Sequence, residues 1–238
     1  MKLQRKGTRH SHRGVIGVES AIVMIAFVIV AAALAFVVLN MGFTTSQKAK
    51  TTTLSSLEQS ENVMKIAGTV TAVGCINTTD CNSTQRLNST TIPLKISQPG
   101  NTVNFSPNMI AISYIGKNVQ YNDIYAGPIT SETFRQPVLA FRQADLEIGS
   151  DFDPFNGANP VNGTVPSQTS AFVYWAKSAN NNQVLESGEH AILAVAFAEN
   201  ERPRSLDKIS IEVIVSNGAT LTIERHIPNI THEVMDLG

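Results

Sequence analysis

The chain is basic and polar at its start, then apolar without a break, then alternates in short runs. Residues 15–43 carry a single charge, Glu19, and residues 21–39 hold no polar side chain at all. A helix over that polar-free stretch is about 28 Å long, close to the hydrocarbon thickness of a bilayer. Residues 44–66 contain Thr, Ser, Gln and Lys with Leu54, Leu57 and Met64 at helical spacing, and no Pro; Gly68 supplies a stop. The pattern predicts one continuous helix over 15–66, apolar all round in its first half and one-sided in its second.

After Gly68 the apolar period becomes two. Strands are predicted at 69–73, 92–96, 109–115, 119–125, 138–141, 171–176, 191–197, 209–215 and 221–227. Asn217-Gly218 between the last two is the dipeptide favoured in a two-residue hairpin. Residues 74–91, rich in Asn, Thr and Ser, and residues 148–167, rich in Pro, Gly and Asn, read as surface loops. With no second helical segment, the expected fold class is α+β, a long N-terminal helix followed by an antiparallel β-sandwich. Three segments follow: 1–14, 15–66 and an outer domain over 67–238.

Charge sharpens the first boundary. Lys2, Arg5, Lys6, Arg9 and Arg13 precede the apolar run, with no acid among them. Taking these five from the 18 Lys and Arg leaves 13 against 19 acidic residues, so a chain starting at Val15 carries about −6. That balance excludes nucleic-acid binding by the outer domain. The basic flank keeps the N-terminus cytoplasmic and sends the rest across the membrane. A secretory signal is cut after its apolar region; here the small residue Gly14 puts a natural cut before it, at Gly14–Val15. An uncut anchor is the alternative.

Several residues then become candidates. Glu19 is a carboxylate inside an apolar run, which is costly and by default functional; after cleavage the Val15 amine lies one helical turn away and pairs with it within or between chains. Snorkelling to the interface is the alternative. Ala31, Ala32, Ala33 and Ala35 offer a small surface for helices that pack closely. Cys75 and Cys81 are the only cysteines, and a local disulfide is favoured over a metal site. Sequons stand at Asn77, Asn82, Asn88, Asn104, Asn162 and Asn229, three of them in one loop, and predict N-linked sugars. Asp151 and Asp153 resemble a fragment of a cation loop but lack the rest, and read as solvated acids of a loop. His190, His226 and His232 lack ligand spacing, and neither a phosphate loop nor a nucleophile elbow occurs. No catalytic residue, cofactor or metal is expected.

Arg13-Gly14 followed by Val-Ile-Gly-Val-Glu-Ser-Ala resembles the class III leader and helix start of type IV pilin-like proteins. Gln47-Lys48-Ala49 after the apolar run, Gly188-Glu189-His190-Ala191 and the segment from Leu221 to Pro228 are similar to archaeal flagellins (archaellins). The resemblance implies removal of the leader by a prepilin-type peptidase, extraction by an ATP-driven membrane platform, and polymerisation with identical or related subunits. Helices would form the filament core and Ig-like sandwiches its outside, for swimming. An acid at the fifth mature position, Glu19, is a pilin hallmark, which leaves an adhesive archaeal pilin as the alternative; a single-span surface protein that never polymerises is the third reading.

Overall fold

A computed structural model describes residues 13–60, 64–74, 85–97, 101–148, 155, 157–162, 164–216 and 219–238. The chain divides into two compact units, Met1–Leu57 and Glu58–Gly238. The described residues of the first belong to one helix, α1, Arg13–Ser60, of 48 residues. Its length follows from the absence of Pro and from an unbroken apolar run in which Ala and Val predominate. At 1.5 Å per residue it is about 72 Å long.

The helix stops short of the expected Ile66. Met64–Ile66 is instead a strand, β1, with Met64 buried and Lys65 exposed. Its partner is the stretch from Leu94 to Ile96. Met64 and Ile66 therefore use their apolar side chains at period two, because pairing with a sheet outweighs a weak helical preference.

The second unit continues with β2 (Thr71–Gly74), β3 (Leu87–Ile96), β4 (Val103–Asn104), β5 (Ile110–Ile115), β6 (Gln120–Tyr121), β7 (Tyr125–Thr133) and α2 (Pro137–Glu147). A 3-10 turn (Pro160–Asn162) precedes β8 (Ser170–Lys177), β9 (Val184–Leu185), β10 (His190–Ala196), β11 (Lys208–Val215), β12 (Leu221–His226) and β13 (Val234–Asp236). Among the described residues the strands form a seven-stranded sheet, β13-β2-β3-β10-β8-β7 with β1 also on β3, and a four-stranded sheet, β12-β11-β5-β6; β4 pairs with β9.

The two larger sheets share one core. Ile92, Leu193 and Val173 of the larger meet Ile112, Ile211 and Ile223 of the smaller, with Trp175 edge-on to Phe105. This is the expected sandwich, and the β11–β12 hairpin pairs over the expected residues. Pro93 sits inside β3, where proline normally breaks a ladder. Its carbonyl accepts Ala67 N–H at 2.8 Å, on the side where β3 changes partner from β2 to β1. The missing N–H falls at that change-over.

Two expectations fail together. Residues 138–141 are not a strand, and a second helix does exist: they lie in α2, which starts on Pro137 and buries Ala140, Phe141 and Ala144. The sandwich is antiparallel as expected except at one pair, β7 and β8, which run parallel. Parallel neighbours cannot be joined by a hairpin; the chain must cross a face of the sheet to return. That crossing carries α2 and covers the second face of the large sheet. Phe155, expected in a surface loop, is fully buried there, edge-on to Phe141 and Phe172. Both faces of β8 are thus covered, which is why Ser170 to Trp175 are all buried.

Candidate assembly surface

The helix α1 presents the most unusual surface of the chain. Phe27 is 75% exposed and Phe36 68%, and the large apolar residues from Val18 to Phe43 are all exposed. Successive residues turn by about 100°, so Phe27 and Phe36, nine apart, stand on opposite sides of the helix. Residues 17–54 are long and apolar enough to cross a membrane by length and composition. That span is about 57 Å, nearly twice the hydrocarbon core. Each Leu, Ile or Phe left in water forgoes roughly 1.5–3 kcal/mol of burial. Such a surface needs lipid or other protein on every side.

The second half of the helix handles its hydroxyls locally. Thr44 donates to the Asn40 carbonyl, Thr45 to Met41 at 2.7 Å, Thr53 to Ala49 at 2.8 Å and Thr51 to Lys48 at 2.9 Å. A hydroxyl turned back onto its own helix needs no outside partner and leaves its methyl outward. In the sequence these threonines look merely polar; within a helix each has a carbonyl three or four residues earlier in reach.

The candidate residues fall as follows. Gly14 and Val15 lie within α1, and the Val15 side chain is outside what the structure describes. Glu19 is exposed and has no ion pair with a described residue. Ala31, Ala32 and Ala35 are exposed and, at spacings of three and four, form one small patch. Cys75, Cys81, Asn77 and Asn82, and with them Asp151 and Asp153, lie outside the described residues. Among the other sequons, Asn104, Asn162 and Asn229 are exposed. Asn104 Oδ1 accepts both the amide and the hydroxyl of Ser106, at 2.9 and 2.7 Å.

Asn88 is a correction. It is 3% exposed, and its side-chain amide donates to the Pro160 carbonyl at 3.1 Å. The folded domain leaves no room for a sugar there. A sequon in a β-bulge between β2 and the helical layer reads the same in sequence as one in a loop. Among the described residues no three His, Cys, Asp or Glu side chains gather as a metal set.

A sequence model of the archaeal-type flagellins matches residues 14–225. The chain belongs to this family. The match begins at Gly14, so residues 1–13, with all five basic residues of the N-terminal segment, fall outside it. A relative named "Probable flagellin 1" from Aeropyrum pernix is 30% identical over 221 residues, covering 91% of this chain and 92% of that one. Among solved structures, the archaeal flagellum of Methanospirillum hungatei strain JF1 aligns over 93% of this flagellin and 99% of that chain, with 17% identity and a TM-score of 0.50. The crystal structure of archaeal flagellin FlaB1 from Methanocaldococcus jannaschii covers 73% of this chain and 95% of that one, with 13% identity and a TM-score of 0.52. Those two likenesses concern the fold: long helix, then β-sheets. As an archaeal flagellin the protein is a structural subunit of the archaeal flagellum filament, an extracellular surface structure built of such subunits, and not an enzyme. The adhesive pilin and the solitary surface protein give way to this assignment.

Proposed function

We propose that the mature flagellin begins at Val15 and that α1 serves two environments in turn. A prepilin-type peptidase removes residues 1–14 while the apolar half of α1 lies in the cell membrane, basic flank inside. An ATP-driven platform then moves the subunit into a homopolymer whose core is a bundle of α1 helices. The observation that carries this reading is the all-round exposure of apolar side chains, Phe27 and Phe36 on opposite sides included. One partner covers one side of a helix; two opposite faces call for several neighbours, as in a helical array. Leaving lipid brings little hydrophobic gain, so close contact must supply the attraction, and Ala31, Ala32 and Ala35 permit it. Glu19 then meets the new Val15 amine and sets register between neighbours. Asn104, Asn162 and Asn229 carry N-linked sugars on the outer domain, and Cys75 pairs with Cys81.

Edman sequencing of sheared filaments tests the reading. The expected first residues are Val-Ile-Gly-Val-Glu. Filaments beginning at Met1 would overturn the cleavage, and membrane fractions holding all of the chain with no filaments would overturn the assembly.

A further inference from the structure

Arg86 and Arg204 oppose each other across an isolated antiparallel bridge. Like charges directly opposite destabilise a strand pair. With Lys117 and Arg202 they line a cleft of about 170 Å³ in the outer domain. The two acids of its lining are already engaged. Glu201 accepts the Tyr121 and Thr169 hydroxyls. Asp207 takes Lys117 Nζ at 3.2 Å and the Arg204 amide at 3.0 Å. Arg202 is held by Glu199 at 3.2 Å, outside the lining. The guanidinium of Arg204 has no hydrogen bond or ion pair with a described residue, and that of Arg86 reaches only the Glu199 carbonyl, at 3.3 Å.

A second observation is independent of these charges. Tyr114 forms part of the cleft wall, is fully buried, and its hydroxyl has no hydrogen-bond partner among the described residues. A buried donor left unmet costs about 1–3 kcal/mol. Burial first, and then the charges of Glu201 and Asp207, push its pKa up, so it remains a donor. The chain carries no side chain at Gly116, where a Cβ would lie 2.8 Å from that hydroxyl.

We propose that this cleft binds one compact oxyanion, a carboxylate or sulfate group, between Arg86 and Arg204 with Tyr114 donating from the wall. An oxyanion meets both needs at once: it offsets the two positive charges that the Arg86–Arg204 bridge brings to one cleft and gives the phenol an acceptor. The volume is about that of six waters, which suits a single acid group. An acidic side chain of a neighbouring subunit and free sulfate offer the same chemistry.

Calorimetry on isolated filaments separates these sources. Wild type, an Arg86→Gln/Arg204→Gln variant and a Lys177→Gln control are melted in sulfate and in chloride at matched ionic strength. Sulfate stabilises proteins generally by exclusion, so the readout is the difference between wild type and variant. A larger rise in wild type and control than in the variant identifies a free-oxyanion site. A smaller rise in wild type, with variant filaments melting several degrees lower in chloride, identifies a neighbour's carboxylate that sulfate displaces. Equal responses overturn the site. Tyr114→Phe repeats the comparison without altering charge, should the double variant not fold, and is expected to shrink the same difference.

Discussion

Tyr174 and Trp175 are consecutive residues of β8 that belong to different cores. Trp175 lies between the two sheets, its ring 6.0 Å from Phe105 at 88°. Tyr174 lies beneath α2, its ring 6.3 Å from Phe134 at 73°. The large sheet therefore insulates two apolar layers from each other, and each layer can be weakened on its own.

Phe172→Ala tests that separation. Phe172 packs edge-on against Phe141 of α2 at 5.0 Å. Its truncation is expected to cost about 3–5 kcal/mol. Hydrogen exchange should accelerate most in α2, with the β5–β11 pairing protected. Uniform acceleration through both sheets would show that the layers are one unit.

Alkali should unfold the outer domain in a residue-specific way. Burial raises the pKa of Tyr174 above the usual 10.0, and burial with the Asp123 charge raises that of Tyr125. A raised folded value means that the native state keeps a proton the unfolded chain has lost. Stability is then complete below pH 10.0 and falls as pH rises towards the folded values. The Tyr174 hydroxyl has no hydrogen-bond partner among the described residues, so Tyr174→Phe should leave stability at pH 7 unchanged or higher and flatten the alkaline loss. Urea melts at pH 7, 10 and 11 read both effects.

Glu189 holds the turn between β8 and β10. It is buried, and its carboxylate accepts the amides of Ala179 at 2.7 Å and Glu186 at 3.0 Å. Glu189→Ala strands both amides and is expected to lower unfolding free energy by about 2–4 kcal/mol. Glu189→Gln keeps one acceptor and should recover part of that in urea titrations. Equal losses for the two variants would point to charge rather than hydrogen bonding.

The sequons should divide by burial. Glycopeptide mass spectrometry is expected to find sugar at Asn104, Asn162 and Asn229 and none at Asn88. Asn88→Gln should leave the glycan mass unchanged yet lower the melting temperature, because the bond to Pro160 is lost.

The helix surface carries the assembly predictions. Ala32→Arg should abolish filaments in electron micrographs, since an unpaired buried charge costs several kcal/mol. Glu19→Ala should leave membrane insertion intact and slow filament growth. Filaments of normal abundance from the first variant would place Ala32 outside the core.

Where sequence reading succeeded, local chemistry alone decided the outcome. A run as apolar as 21–39 has one stable backbone state and no soluble face, so helix and exposure were both legible. The alternating apolar residues on either side of Asn217-Gly218 made the β11–β12 pairing legible for a similar reason, though Val213 pairs with Leu221, one residue away from the register a two-residue turn at 217–218 would set. Short runs gave way. Val138 to Phe141 has the composition of a strand, and only the Pro137 start and the spacing of Ala140, Phe141 and Ala144 hint at α2.

By itself, then, the sequence determined the charge boundary at Gly14, the membrane-length apolar helix and the sandwich of alternating strands, because each rests on spacing within a few residues. Tertiary structure decided the end of α1 at Ser60, the parallel β7–β8 pair, the burial of Phe155 and Asn88, and the facing of Arg86 and Arg204. Each of these joins residues far apart in the chain, and the free energy that selects them exists only once the sheet has formed.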